Sequence, residues 1–276
     1  MSYKKILTIQ DISCVGQCSL TVALPIISAC GVETAVLPSA VLSTHPAGFK
    51  GYTFRDLSDD MPDICAHWKK EGIEFDAIYT GYLGSEKQID YVKNIFDSVL
   101  TDGGVKVVDP AMADNGALYP GFDMAFAKAM GRLCVAADYV LPNITEAAFI
   151  TDTEYKEEYD REYIDLLLER LCAIGCKNII LTGISYREGY TGVVCYIDGE
   201  YSYYEHEKIS KGSHGTGDVY ASAFVGALVN GKSAVESAKI AADFTVECIN
   251  ETHKHENHWY GAAFEPVLGK LIDALK

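Results

Sequence analysis

The sequence predicts one α/β domain spanning residues 1–276, with a mainly parallel central sheet flanked by helices on both faces. Three observations carry this expectation. Short β-rich runs alternate with helical patterns of ten or more residues, which is the rhythm of βαβ units. No linker, low-complexity tract or repeat divides the chain. One stretch near residues 190–208 departs from the rhythm. "GYTGVVCYIDGEYSYYEHEKI" alternates and carries Asp198-Gly199 between two runs, the signature of an antiparallel hairpin.

The elements follow in order. "KKILTIQ" reads as the first strand. "SLTVALPIISACG" reads as a helix closed by Gly31, with Pro25 kinking it or limiting its start. "VETAVLPS" is a second strand. "SDDMPDICAHWKKEG" has acids early, lysines late and glycine last, as helix polarity favours. "FDAIYTG" is a strand, and "SEKQIDYVKNIFDSVLTDGG" an amphipathic helix running to its glycines. "VKVVDP" is a strand stopped by Pro110. A helix over Asp123–Val135, the strand "DYVLPN" and a helix from near Thr145 come next. "TEYKEEYDREYIDLLLERLCAIG" holds another helix and "KNIILTG" another strand. After Gly217 helices dominate, over Asp218–Asn230, Ser233–Asn250 and Phe264–Leu275.

The 276 residues are 49% hydrophobic and 22% charged, enough for one large core. The net charge of -16 repels nucleic-acid backbones and anionic lipids, which argues against partners of either kind. A small anionic substrate stays open, because a local site can oppose the global field. No run of about 20 apolar residues offers a membrane span. "MSYKKILTIQDISC" lacks a signal-peptide core, so the expected location is the cytoplasm. The nine cysteines are odd in number, scattered through apolar segments and without a Cys-x-x-Cys pair. They read as reduced thiols rather than a zinc site.

In open parallel sheets, ligands bind beyond the carboxyl ends of the strands. The candidate chemistry falls there. Gly215, Thr216 and Gly217 open a helix, where the first N–H groups lack intrahelical acceptors and small residues let an anion approach. Asp218 follows in the first turn, a carboxylate beside an anion hole, as phosphoryl transfer to a hydroxyl requires. The same pattern also fits a plain glycine turn with a helix-stabilising acid. Asp109 ends one strand, and Asn143 and Glu146 follow the next. The latter pair reads as a capping box. All three also suit magnesium, which takes few carboxylates and keeps waters and phosphates. Thr182 and Gly183 end another strand. Asp11, Ser13 and Gly16 follow the first strand, His45 the second and Tyr82 the third. A histidine and a tyrosine at this edge suit an aromatic, hydrogen-bonding substrate. No G-x-x-x-x-G-K-[ST] or G-x-G-x-x-G motif occurs. "HKHENHWY", with His253, His255 and His258, lacks an i,i+4 pair and reads as a polar surface loop.

Taken together, these stretches resemble the pyridoxal/pyridoxamine (vitamin B6) kinases of the ribokinase-like superfamily. "GTGD" at Gly215–Asp218, Asp109-Pro110 and Asn143-x-x-Glu146 carry the superfamily likeness. "DISCVGQCSL", "STHPAGFKGYTFRDL" and "TGYLGS" carry the vitamin B6 likeness, and the pieces occur in family order along nearly the whole chain. The resemblance implies a ribokinase-like fold, usually dimeric. It also implies ATP-dependent phosphorylation of the 5'-hydroxymethyl group of pyridoxal, pyridoxamine or pyridoxine. By it, Asp218 is the base and Gly215, Thr216 and Gly217 form the anion hole. Ser13, His45 and Tyr82 meet the substrate with Asp218. Asp109, Asn143, Glu146, Thr182, Gly215 and Gly217 serve ATP, and Glu146 and Asp109 serve Mg2+. A monovalent cation such as K+ is a further candidate. Tyr201, Tyr203 and Tyr204 of the hairpin would border the nucleotide.

Pro46 departs from the family, which commonly has threonine there, and so removes one expected hydroxyl. "IQDISCVG" lacks the Gly-Gly pair of sugar kinases. Two other readings stand beside this one: a hydroxymethylpyrimidine kinase of thiamine metabolism, and a non-catalytic protein that binds a vitamer or nucleotide.

Overall fold

The computed structural model describes residues 3–209 and 213–276. Eleven strands and nine α-helices lie within them: β1 Lys5–Ser13, α1 Leu20–Ala29, β2 Glu33–Leu42, β3 Phe54–Asp56, α2 Met61–Lys70, β4 Phe75–Thr80, α3 Glu86–Val99, β5 Leu100–Val108, β6 Ala113–Asp114, β7 Ala117–Leu118, α4 Met124–Ala136, β8 Tyr139–Val140, α5 Ile144–Ile150, α6 Arg161–Ile174, β9 Asn178–Ile184, β10 Tyr190–Ile197, β11 Glu200–Glu207, α7 Thr216–Val229, α8 Ala234–Thr252 and α9 Leu268–Ala274, the last preceded by a 3-10 turn.

Nine strands form one sheet in the order β11-β10-β9-β8-β5-β4-β1-β2-β3. The six strands from β9 to β2 run parallel. Antiparallel strands finish both edges, β3 on one side and the β10–β11 hairpin on the other. Asp198 and Gly199 turn the hairpin at φ 53° and 85°, the paired positive values of a tight two-residue turn.

Strand side chains alternate between two cores. Leu7, Ile9, Ile179 and Leu181 face the side covered by α2 to α6. Ile6 and Ile180 face the side covered by α1, α7, α8 and α9. Each such side chain, fully withdrawn from water, contributes about 1.5–3 kcal/mol. Burial on both faces explains why these strands read as nearly continuous apolar runs. All nine cysteines are free thiols.

Several details differ from the sequence expectation. The helix expected to run to Gly104 stops at Val99, and Leu100 turns extended at once to begin β5. Pro25 lies inside α1 rather than bounding it. α7 starts at Thr216, two residues earlier than expected, so Asp218 is in its first turn. The strand β3 is wholly exposed and so carries no alternation to betray it. The parallel strands place Ser13, Thr80, Asp109, Asn143 and Thr182 at or just beyond their carboxyl ends, along one edge of the sheet.

Candidate active site

The centre of that edge is the start of α7. Its sequence, TGDVYASAFVGALV, is apolar on nearly every side, and the helix is buried from Val219 to Ala227. Only its first turn reaches the ligand edge. Gly215 is the N-cap at φ 75°, and a Cβ there would stand 1.9 Å from the Gln17 carbonyl oxygen. Glycine is therefore required twice over, by conformation and by contact. Among the described residues no side chain caps this helix. A Cβ on the exposed Gly217 would meet no atom of the described residues within 4 Å, so the first turn of this helix has room beside it at the positive end of the helix dipole.

Asp218 is half-buried beside that space. Burial pushes its pKa up to about 7; the Asp11 charge adds to the rise, and the Ser19 backbone N–H opposes it. Its carboxyl thus sits at the protonation balance a general base needs near neutrality.

Asp109 and Glu146 lie deeper. Burial holds Asp109 well above the usual carboxylate range, and the charges of Glu146 and Asp218 push the same way. Burial raises Glu146 to about 7 against backbone N–H groups that lower it. Its Oε1 accepts from Met112 N–H at 3.1 Å and its Oε2 from Asn143 N–H at 2.9 Å. Asn143 Oδ1 accepts from Glu146 N–H at 3.0 Å, completing the capping box, and Asn143 Nδ2 donates to the Ala113 carbonyl at 2.8 Å. Every polar atom of Asn143 is thereby engaged. Thr182 pairs alongside, its N–H donating to the Pro142 carbonyl at 2.9 Å. Among the described residues no three His, Cys, Asp or Glu side chains gather closely enough to hold a metal by themselves.

The neighbouring pocket is built from β1, β2 and β4. Ser13 is buried and donates to Asp11 Oδ2 at 3.0 Å. His45 is buried, with Nε2 2.7 Å from the Tyr260 carbonyl. A carbonyl only accepts, so Nε2 carries the hydrogen. Nδ1 is left buried without a hydrogen-bond partner among the described residues. Tyr82 is half-buried 5.5 Å from the Phe122 ring, and its phenol is pushed up to about 12 by burial and then by the Asp11 charge. Pro46 is exposed. The His214 ring lies 5.7 Å from that of His45.

The profile of the phosphomethylpyrimidine kinase family matches residues 25–263. The chain belongs to this family. A structure described as a putative phosphomethylpyrimidine kinase from Bacteroides thetaiotaomicron, in a form with pyridoxal, is 35% identical with a TM-score of 0.90, covering 99% of this chain and 96% of that one. The pyridoxal kinase structure from Lactobacillus plantarum is 29% identical, with a TM-score of 0.90 and coverage of 99% and 98%. A hydroxymethylpyrimidine/phosphomethylpyrimidine kinase of Bacillus subtilis is 26% identical over 234 residues, 82% of each chain. The two solved structures share this chain's fold, the ribokinase-like architecture expected from the sequence.

The structure draws Asp109, Glu146 and Asp218 into one electrostatic cluster and gathers Ser13, His45 and Tyr82 around Asp11. Three features escaped the sequence reading. Tyr119 belongs to the acidic cluster, its phenol raised by burial and by Glu146, Asp114, Asp109 and Asp218. The histidine-rich stretch is not merely surface, since its far end supplies the Tyr260 carbonyl to His45. The hairpin tyrosines divide between the two faces, with Tyr201 and Tyr203 both meeting Tyr186. Tyr203 packs with Tyr186 at 4.8 Å on one face, whereas the Tyr204 hydroxyl donates to Asp243 of α8 on the other. A strand's two-residue period requires that split.

Proposed function

We propose that the protein transfers the γ-phosphoryl group of ATP to the 5'-hydroxymethyl group of pyridoxal, pyridoxamine or pyridoxine, with Asp218 as general base. The observation that carries this is the start of α7: a glycine-capped helix N-terminus with no side-chain cap among the described residues, room at Gly217, and a carboxyl poised near pH 7 in its first turn. The Asp218 carboxylate takes the hydroxyl proton as the substrate oxygen bonds to phosphorus. The bond from phosphorus to the bridging oxygen breaks, and ADP leaves. The N–H groups of Gly215, Thr216 and Gly217 hold the phosphoryl oxygens as charge develops on them.

Ser13, His45 and Tyr82 bind the ring. The unpartnered Nδ1 of His45 is an acceptor, suited to a hydroxyl or protonated nitrogen on a planar heterocycle. Asn143 and Thr182 form the nucleotide side. Asp109 and Glu146 fit a magnesium ion: both are buried carboxyl groups, both are raised in pKa, and the Glu146 charge adds to the rise at Asp109, a repulsion that a cation would relieve. They would hold Mg2+ with the help of water and phosphate oxygens, and the ion would neutralise phosphate charge. The chain acts as one domain, as a cytoplasmic homodimer. Nine free thiols are consistent with a reducing compartment, and light scattering of the purified protein tests the dimer.

Family membership itself favours a second reading, hydroxymethylpyrimidine as substrate, since that ring also carries a hydroxymethyl group. One assay separates the two. ATP-Mg is offered with pyridoxal, pyridoxamine, pyridoxine and hydroxymethylpyrimidine in parallel, and ADP release is followed. Turnover of a B6 vitamer with the highest kcat/KM supports the leading reading. Turnover of hydroxymethylpyrimidine alone overturns it.

A further inference from the structure

Gln17 lies in the loop between β1 and α1 and makes contacts to three parts of the chain. Its Nε2 donates to both oxygens of Glu265, at 2.7 and 2.9 Å. Its Oε1 is therefore the acceptor, 2.7 Å from His258 Nε2, which carries the hydrogen. Its backbone N–H donates to the Tyr260 carbonyl at 3.3 Å, the same oxygen that receives His45 Nε2. It bridges Gly261, where a Cβ would stand 2.5 Å from Gln17 Cβ. On its other side, the Gln17 carbonyl oxygen is the atom a Cβ on Gly215 would strike. One residue thus joins the C-terminal segment 258–265 to the cap of α7.

Two residues further on, Ser19 is buried at φ 55° and ψ -130°, a backbone state that residues other than glycine rarely hold. Such a state persists only where the surroundings impose it. Here the Ser19 carbonyl accepts from Val22 and Ala23 N–H at 3.0 and 2.9 Å, and its own N–H bears on Asp218. The loop therefore touches the proposed base from one side and its helix cap from the other.

We infer that Gln17 is a positioning residue for Asp218: tethered to Glu265, His258 and Tyr260, it holds the loop from Cys14 to Ser19 against the start of α7. The segment 258–265 thereby becomes part of the phosphoryl-transfer machinery without touching substrate through Gln17. The inference rests on the proposed kinase reading.

A carboxylate–amide exchange tests it. In Gln17→Glu, a second carboxylate faces Glu265. The loop is pushed off, and kcat falls about tenfold or more, as displacement of a catalytic group entails. KM for ATP changes less than about threefold, because Asn143 caps α5 and Thr182 lies on β9, away from the loop. In Gln17→Glu/Glu265→Gln the amide and carboxylate have traded places, the His258 N–H still finds an acceptor, and kcat returns to within about threefold of wild type. Whichever hydroxymethyl ring the wild type phosphorylates serves as substrate, so a wild type inert to all of them counts against the kinase reading rather than against Gln17. Wild-type kcat in Gln17→Glu overturns the inference. So does a double variant as slow as the single one, or a loss confined to thermal stability. Should Gln17→Glu not fold, His258→Phe and His258→Gln give the same decision. The first removes the donor and slows turnover about threefold, and the second restores a donor and the rate; equal rates overturn the role.

Discussion

Two helices begin at the ligand edge with an acid in the first turn, and they use it in opposite ways. α5 is closed. Asn143 caps it, Glu146 answers the cap, and both Glu146 oxygens receive backbone N–H groups. α7 is open. Glycine stands at its cap, no side chain of the described residues folds back, and a Cβ added at Gly217 would meet none of their atoms within 4 Å. Burial brings Glu146 and Asp218 to about the same pKa, near 7. The pKa therefore does not distinguish their tasks. What differs is where the helix N–H groups go: α5 spends its own on its capping box, and α7 has no side-chain cap among the described residues, as the proposed anion hole requires.

The comparison can be broken first at the base. Asp218→Asn keeps the shape and removes the proton acceptor, so kcat falls about 1,000-fold, within the range for loss of a general base. A change confined to KM would make Asp218 a binding residue and the two acids alike. Next comes the open space. Gly217→Val adds bulk where a Cβ meets no atom of the described residues within 4 Å, so the fold is retained and the thermal midpoint barely moves. It blocks the anion's approach, so kcat/KM for ATP falls about 100-fold. Full activity in this variant would mean that phosphate does not come to α7. The smallest effect concerns the closed helix. Asn143→Ala removes the cap and lowers stability by about 1 kcal/mol in denaturant titration. Unchanged stability would show that the box does not hold α5.

Much of this was readable from the chain. "GTGD" revealed an open helix start because glycine and a first-turn acid are local signals. The Asn143–Glu146 spacing revealed the capping box for the same reason, and the alternation of strands and helices gave the sheet. What escaped has no local signature. Gln17 meets His258, Tyr260 and Glu265 across more than 240 positions of sequence, so the histidine-rich stretch read as a plain loop. The exposed strand β3 lacked alternation. The passage from α3 directly into β5 was hidden because "LTDGG" has the look of a helix ending, while tertiary pairing of Leu100 with Phe75 decides otherwise. The free Nδ1 of His45 depends on a carbonyl delivered from the far end of the chain.

The most direct test of the open helix and its base is the pH dependence of kcat/KM for the preferred vitamer, measured in wild type and in Asp218→Asn. Asp218 must be ionised to accept the proton, and its pKa is raised to about 7. Activity is therefore fullest above that value and falls about tenfold per pH unit below it. The account predicts an acid limb centred near pH 7 in wild type and its disappearance in Asp218→Asn. A wild-type profile flat down to pH 5, or the same limb in both proteins, would contradict it.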